Sequence, residues 1–184
     1  MLEVKELGLE GVLEILPRRF SDDRGFFSET YNAEAFAAAS IDLVFVQDNH
    51  SLSTASGVLR GLHYQLPPRA QDKLVRVTKG AILDVAVDIR RHSPDFGKWI
   101  ALEVSAEKWN QILVPKGFAH GFLTLRDDTE VLYKVTDTYS PDHDRSIRFD
   151  DPDIGIEWPL PAAAFVLSQK DRNAPLLRVA ETFQ

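Results

Sequence analysis

The sequence predicts an all-β protein built as a sandwich or jelly roll. Apolar and polar residues alternate with a period of two over residues 82–89, 100–105 and 131–135, the pattern of half-buried strands. Glycine, proline and aspartate interrupt the chain about every eight to twelve residues, as expected for short strands joined by turns. Helical character is concentrated in one early segment.

In chain order, an N-terminal arm with few apolar residues comes before the predicted barrel strands. The helix is predicted over residues 32–39, where alanine dominates and Asn32 can cap the first turn. Lys79-Gly80 marks the turn before the clearly alternating strand 82–89. Residues 150–184 are rich in proline and irregular, with at most a short helical turn. We expect this C-terminal segment to close one end of the barrel.

Composition limits the possible functions. The 184 residues fit a single domain, residues 1–184, with a sizeable core. A net charge of −7 disfavours nucleic acid as a general partner. The chain has no cysteine, which excludes disulfides, thiol nucleophiles and cysteine–zinc sites. No apolar run approaches the roughly 20 residues of a membrane span, and the N-terminus lacks a secretory signal pattern. We therefore expect a cytoplasmic protein without a membrane partner.

Residues 114–125 contain the most informative motif. The turn Pro115-Lys-Gly places His120 at the start of an apolar strand, which resembles the end of the second motif of the cupin barrels. The place of the first cupin motif is taken by Gly61-Leu-His-Tyr-Gln65. Glutamine thus replaces one metal-binding histidine, and no glutamate follows at ligand spacing. We expect no metal and no cofactor, and acid–base chemistry by His63.

Nearly the whole chain resembles the dTDP-4-dehydrorhamnose 3,5-epimerases. Several motifs occur in the same order and with matching spacing, which makes the resemblance specific. They lie at residues 17–29, 45–51, 57–65, 72–77, 115–122, 133–135, 139–141 and 167–171. The resemblance implies a jelly-roll cupin that acts on a dTDP-linked 4-keto-6-deoxyhexose. It also implies a homodimer whose active sites are shared between the two chains.

Epimerisation beside the C4 ketone requires a base, an acid on the opposite face and a group that holds the enolate oxygen. His63 is the candidate base because imidazole titrates near physiological pH. By the resemblance, Asp171 orients His63, Lys73 stabilises the enolate, and Tyr133 is the acid. Taken singly, these residues also fit a histidine in the core, a snorkelling or edge-strand lysine and an ordinary strand tyrosine.

A second group of residues is expected to bind the nucleotide. Arg24 and Arg60 suit the diphosphate, because the guanidinium fork matches its oxygens. Phe27 and Tyr139 are placed to stack on the pyrimidine, with Glu29 accepting from the edge of the base. The resemblance assigns further contacts with the sugar nucleotide to Gln47, Asp48, Asn49, Asp144 and Lys170.

Three further positions are expected near the site. His120 occupies the place of a cupin metal ligand and is expected to donate to the substrate or to tune Lys73 or His63. Asp84, which faces inward by the alternation of residues 82–89, is expected to orient it. Asp144 stands where the family usually has glutamate, so its ligand contact is expected to be lost or bridged by water. Phe149 replaces a family tryptophan, which we interpret as a change in core contacts.

Three other functions stay open at this point. A relative that epimerises only C3 or only C5 would have the same fold and the same His63, although Tyr133 favours the double epimerase. A sugar-nucleotide ketoisomerase of the same superfamily would lack the arm motif that ends at Glu29. A non-enzymatic sugar-binding cupin would have no reason to retain His63, Lys73, Tyr133 and Asp171 together.

Overall fold

The computed structural model describes residues 2–184, in which thirteen strands, two short α-helices and a 3-10 turn are found. The strands are β1 (Glu3–Glu6), β2 (Leu13–Leu16), β3 (Arg19–Asp22), β4 (Gly25–Ser28), β5 (Gln47–Ser53), β6 (Leu59–Gln65), β7 (Lys73–Lys79), β8 (Ala81–Asp88), β9 (Trp99–Ser105), β10 (Gln111–Val114), β11 (Phe118–Thr124), β12 (Thr129–Val135) and β13 (Asp144–Ser146). The helices are α1 (Ala33–Ala38) and α2 (Gln169–Arg172), and the 3-10 turn is Ala162–Ala164. Within the described residues, neither helix has the length and apolar character needed to cross a membrane.

Two antiparallel sheets face each other. One has six strands in the order β1-β2-β10-β7-β12-β5, and the other has five in the order β13-β6-β11-β8-β9. Strands β3 and β4 form a separate hairpin within the N-terminal arm. This arrangement confirms the predicted all-β jelly roll with an N-terminal arm, one early helix and an irregular C-terminal segment.

The main core lies between the two sheets and follows from the period-two alternation. Val75 and Val131 point inward from the six-stranded sheet, and Ile82, Ala86 and Val104 meet them from the five-stranded sheet. These five side chains are fully buried. Burying a valine or isoleucine side chain stabilises a fold by roughly 1.5–3 kcal/mol, so this cluster fixes the distance between the sheets.

Helix α1 covers the outer face of the six-stranded sheet. Phe36 reaches from α1 into a cluster with Leu74 and Leu113. The helix begins as predicted, because the Asn32 side chain accepts a hydrogen bond from the backbone N–H of Ala35 at 3.1 Å. The cap and the buried phenylalanine together explain why a helix of six residues is stable here.

The C-terminal segment has a different place from the one expected. Its residues Ile154 and Leu177 pack with Val85 and Val87 on the outer face of the five-stranded sheet. That face is apolar and needs cover, so the segment runs along it rather than simply closing an end of the barrel. Only around residues 166–171 does it reach the space between the sheets.

The β3–β4 hairpin is attached to the barrel mainly through Trp109. The rings of Phe26 and Trp109 meet edge to face with 4.7 Å between centroids, and Trp109 Nε1 donates to Ser28 Oγ at 3.1 Å. Phe20 and Phe27 stay largely exposed. The hairpin therefore presents aromatic surface that the barrel of its own chain does not cover.

Candidate active site

Two neighbouring cavities, of about 440 and 210 Å³, have His63, Lys73 and Tyr133 in common in their walls. The larger cavity is also lined by Ser51, Arg60, His120, Phe122, Ser168 and Asp171. The smaller cavity is also lined by Gln47, Asn49, Gln65, Tyr139, Asp144 and Lys170. The three predicted reactive side chains thus stand where the two cavities meet.

Close approach of strands β6 and β11 brings two histidines together. His63 on β6 is paired in register with His120 on β11. A Cβ atom on Gly61 would lie 2.5 Å from the Cα atom of Gly121, and the φ of Gly61 is 131°. Both facts require glycine at position 61. The Arg-Gly-Leu-His motif therefore carries its glycine for the close pairing of β6 with β11 and its histidine for the cavity.

His63 and Asp171 form a close pair. His63 Nε2 lies 2.5 Å from Asp171 Oδ1, and Asp171 is 2% exposed. Burial alone would raise the pKa of Asp171, but hydrogen bonds from His63 and Ser168 outweigh it and hold that pKa below its usual range. Asp171 is therefore an ionised acceptor, so Nε2 of His63 carries the proton and Nδ1 keeps its lone pair.

The charge state of His63 follows from its burial. Removal from water lowers the pKa of His63, and the hydrogen bond and negative charge of Asp171 only partly oppose this shift. Nearby Lys170 and Lys73 lower the same pKa further. The imidazole is therefore neutral near pH 7 and can accept a proton.

Lys73 is a buried cation beside this pair. Its side chain begins on β7, and its Nζ donates to the backbone carbonyl of His63 at 3.2 Å. Burial lowers the pKa of Lys73 to about 8, against the opposing charges of Asp84 and Asp144. An ammonium in such a position offers donors to an oxygen that becomes negative during a reaction.

His120 and Asp84 form a second buried pair, as the alternation of β8 predicted. His120 Nε2 lies 2.9 Å from both oxygens of Asp84. Asp84 is fully buried, and His120 is 7% exposed. Asp84 thus fixes the orientation of the His120 ring in the wall of the larger cavity.

Tyr133 faces the pair from the other sheet. Tyr133 lies on β12 of the six-stranded sheet, whereas His63 lies on β6 of the five-stranded sheet. Burial raises the pKa of Tyr133, with Arg60 opposing, so the phenol keeps its proton near neutral pH. A ligand ring bound between the sheets would therefore have the base, His63, on one side and the phenolic acid, Tyr133, on the other.

Several of the predicted nucleotide-binding residues line the smaller cavity and hold one another. Gln47 Nε2 donates to Asn49 Oδ1 at 2.9 Å, and the backbone N–H of Tyr139 donates to Gln47 Oε1 at 3.0 Å. Arg60 lines the larger cavity instead. A ligand that contacts both Arg60 and Tyr139 must therefore extend past His63.

Asp144 has well-defined partners despite being shorter than the family's usual glutamate. Its Oδ2 accepts from Lys170 Nζ at 2.5 Å and from the hydroxyl of Tyr139 at 3.2 Å. The shorter side chain thus joins the loop of Tyr139 to helix α2. The expected water-bridged contact with a ligand stays a prediction.

Four predicted binding residues line neither of these two cavities. Arg24 is 90% exposed and pairs with Asp22 at 2.6 Å. Phe27 is 66% exposed, and Glu29 accepts from Asn32 at 3.0 Å. These three residues belong to the N-terminal arm or follow directly after it, whereas the fourth, Asp48, belongs to the barrel.

Asp48 lies on the opposite face of β5 from its neighbours. The strand alternates, so the side chains of Gln47 and Asn49 share one face and Asp48 takes the other. There it binds Lys134 of the adjacent strand at 2.9 Å. The period-two rule alone separates Asp48 from the two residues with which the motif groups it.

Sequence reasoning missed several residues of the larger cavity, among them Ser51, Phe122 and Ser168. Ser51 follows Asn49 by two positions on β5, and Phe122 follows His120 by two on β11, so the same alternation points to both. Ser168 precedes Asp171 by three positions and caps α2, a spacing typical of a helix start.

Gln65 explains the missing cupin histidine in structural terms. Its Nε2 donates to the carbonyl of Arg69 at 2.6 Å, and its Oε1 accepts from the backbone N–H of Ser140 at 2.7 Å. The first bond holds the loop that follows β6, and the second secures the segment that carries Tyr139. The side chain at this position thus supports the wall of the smaller cavity.

A jelly roll with a His–Asp pair, a buried lysine and a facing tyrosine between its sheets defines a cupin-type protein with an acid–base site. A family model described as dTDP-4-dehydrorhamnose 3,5-epimerase matches residues 6–179. The chain belongs to this family of sugar-nucleotide epimerases and is an isomerase.

Individual relatives agree with this assignment. The chain is 50% identical over 183 residues to a dTDP-4-dehydrorhamnose 3,5-epimerase of Pseudomonas aeruginosa, which covers 99% of each protein. A crystal structure of the Bacillus anthracis epimerase with TDP and PPi bound has a TM-score of 0.92 and 46% identity, covering 96% of this chain and 99% of that one. A Legionella pneumophila epimerase in complex with dTDP-4-keto-L-rhamnose has a TM-score of 0.93 and 41% identity over the whole of both chains.

Proposed function

We propose that the protein epimerises both C3 and C5 of a dTDP-4-keto-6-deoxyglucose-type sugar nucleotide, giving dTDP-4-dehydro-L-rhamnose. The observation that carries this proposal is the placement of His63 and Tyr133 on opposite sheets around one space, with Lys73 beside them. The product named in the Legionella pneumophila complex supports the choice of substrate.

The reaction follows from the protonation states at the site. Nδ1 of His63 takes the proton from the carbon next to the ketone, and the electron pair moves onto the ketone oxygen. The ammonium of Lys73 stabilises this enolate oxygen, a type of contact that contributes roughly 2.7–4 kcal/mol in other enzymes. The phenol of Tyr133 then gives a proton to the opposite face of the carbon. Protonated His63 afterwards loses its proton to solvent, and the Tyr133 phenolate takes one up.

The substrate would extend through both cavities. The sugar ring lies at their junction, where the three reactive side chains meet. Arg60 suits a phosphate group, and the exposed ring of Tyr139 suits a flat base. Gln47 and Asn49 supply amide groups along the wall between them.

The working unit in this proposal is a homodimer with shared active sites. The β3–β4 hairpin, with exposed Phe20, Phe26 and Phe27, would lie against the second chain. That position would carry Arg24 and Phe27 to the partner's nucleotide, which accounts for their absence from the cavities of their own chain.

Deuterium exchange tests the proposed function. In D₂O the wild-type protein is expected to place deuterium at both C3 and C5 and to form the inverted product. His63→Asn should slow exchange at both carbons by roughly 10²–10⁴, because one base serves both, while binding of dTDP is retained. Mass spectrometry and NMR of the recovered sugar nucleotide measure both outcomes.

Tyr133→Phe is the matched variant in the same experiment. The ring still fills its place, and His63 can still remove a proton and return it to the same face. Deuterium incorporation should therefore persist while inversion is lost. Exchange confined to one carbon of the wild type would indicate a mono-epimerase, and no exchange at all would indicate a binding protein.

A further inference from the structure

Ser168 makes two hydrogen bonds with a single oxygen, and both involve Asp171. Its hydroxyl donates to Asp171 Oδ2 at 2.7 Å. The same oxygen accepts from the backbone N–H of Asp171 at 3.1 Å, which caps α2. Asp171 Oδ1 faces His63. Both oxygens of this buried carboxylate are therefore held, one by the imidazole and one by the serine.

We infer that Ser168 is a positioning residue for the epimerisation, acting on His63 through Asp171. This inference rests on the proposed function. The hydroxyl fixes the rotation of the carboxylate, and the carboxylate fixes the orientation and tautomer of the imidazole. Without the hydroxyl, Asp171 Oδ2 would be a buried acceptor without a partner, so the carboxylate would turn or become protonated.

No nearby charged side chain in the described residues replaces Ser168 as the donor to Asp171 Oδ2. The charged groups near the pair are Lys170 on α2 and Lys73 on β7, which bond to Asp144 and to the backbone carbonyl of His63. In the described residues neither lysine donates to Asp171 Oδ2. The serine hydroxyl is thus the donor that holds this oxygen.

Substitutions at position 168 separate capping from positioning. Glycine is nearly as good as serine at a helix N-cap but has no hydroxyl, and threonine has both functions. Ser168→Gly is expected to lower kcat about ten-fold or more with KM little changed, the size of effect typical of an unsatisfied buried acceptor. Ser168→Thr is expected to restore most of the rate, and thermal unfolding checks that both variants are folded.

The decisive measurement is a double-mutant cycle with Asp171→Asn. If Ser168 acts through Asp171, Ser168→Gly should cause no further loss of kcat in the Asp171→Asn background. The full ten-fold loss in that background would overturn the inference, because Ser168 would then act on the substrate or on the fold. A wild-type rate in Ser168→Gly would overturn it as well.

The same cycle distinguishes this inference from the proposed function. If Asp171→Asn alone had the rate of the wild type, the orienting role of Asp171 would fail, and the role of Ser168 with it, whereas the base role of His63 is judged by His63→Asn. If Asp171→Asn is slow and Ser168→Gly adds its full loss, only the role of Ser168 fails. Residual rates can be followed by deuterium exchange at high enzyme concentration.

Discussion

Lys73 carries its positive charge in a buried position, with only 9% of the residue exposed. Burial of an ammonium is costly, and here it lowers the pKa to about 8. The nearby carboxylates Asp84 and Asp144 limit this shift, while Lys170 adds to it. The site thus holds a lysine that is charged at neutral pH and that loses its charge in mildly alkaline solution.

The alkaline side of the activity profile should therefore report Lys73. The reaction needs the protonated ammonium, so kcat/KM is expected to fall as pH rises through about 8, the pKa of Lys73. Tyr133 is not responsible for this fall, because burial raises the pKa of its phenol above the ordinary range. The profile is obtained from initial rates between pH 6 and roughly 10.

Two variants test this assignment. Lys73→Arg keeps its charge throughout this range, so its residual activity should lose the decline near pH 8. Lys73→Met should lose roughly 10²–10³ in kcat at every pH, since no donor is left for the enolate. A decline near pH 8 that persists in Lys73→Arg would assign it to another group.

At the residue scale, the sequence predicted the reactive side chains mainly by resemblance. His63 and Asp171 are 108 positions apart, and no periodicity rule connects residues at that distance. Local rules worked where the question was which face of a strand a side chain takes, as for inward-facing Asp84. The same rules argued against Asp48, which the motif had grouped with Gln47 and Asn49.

At the scale of elements, the antiparallel pairing of β6 and β11 fixes the register of His63 against His120. Gly61→Ala would place a methyl group 2.5 Å from Gly121 Cα and 2.9 Å from the carbonyl oxygen of His120. Since both contacts are with backbone, neither can move aside as a flexible side chain would. The strands would have to separate or slip.

We expect Gly61→Ala to lower the free energy of unfolding by about 2–5 kcal/mol, combining backbone strain with overpacking. Gly8→Ala is the matched control, because Gly8 has a φ of 91° and no heavy atom within 4 Å of an added Cβ. It should lose only about 1–2 kcal/mol. Denaturant unfolding at one protein concentration compares the two, and equal losses would mean that the β6–β11 pair tolerates a side chain at position 61.

The elements themselves were predicted to different degrees. Helix α1 and its Asn32 cap were predicted within a residue or two, because capping and alanine content are local signals. The path of the C-terminal segment was not, because it depends on which outer sheet face is apolar. The β3–β4 hairpin was predicted only as an arm, since its alternation is weak and its aromatic residues are exposed.

At the scale of the whole molecule, several large apolar side chains are left exposed in the N-terminal part of the chain. The hairpin exposes Phe20, Phe26 and Phe27, and the approach to β5 exposes Val44 and Val46. Strand β5 is an edge of the six-stranded sheet, so its outer backbone groups are open to another strand. A second copy of the chain is the partner that the proposed shared site requires.

Complementation tests whether two chains build each site. Arg24→Ala and His63→Ala are prepared separately, each expected to be nearly inactive, and are then unfolded and refolded together. In a mixed dimer the barrel with intact His63 receives the arm with intact Arg24, while the other site carries both defects. Random pairing makes about half of the dimers mixed, so about a quarter of all sites should regain full activity in a closed two-fold assembly.

Two affinity tags allow the mixed dimer to be isolated. If it forms and is as inactive as its parents, each site belongs to a single chain.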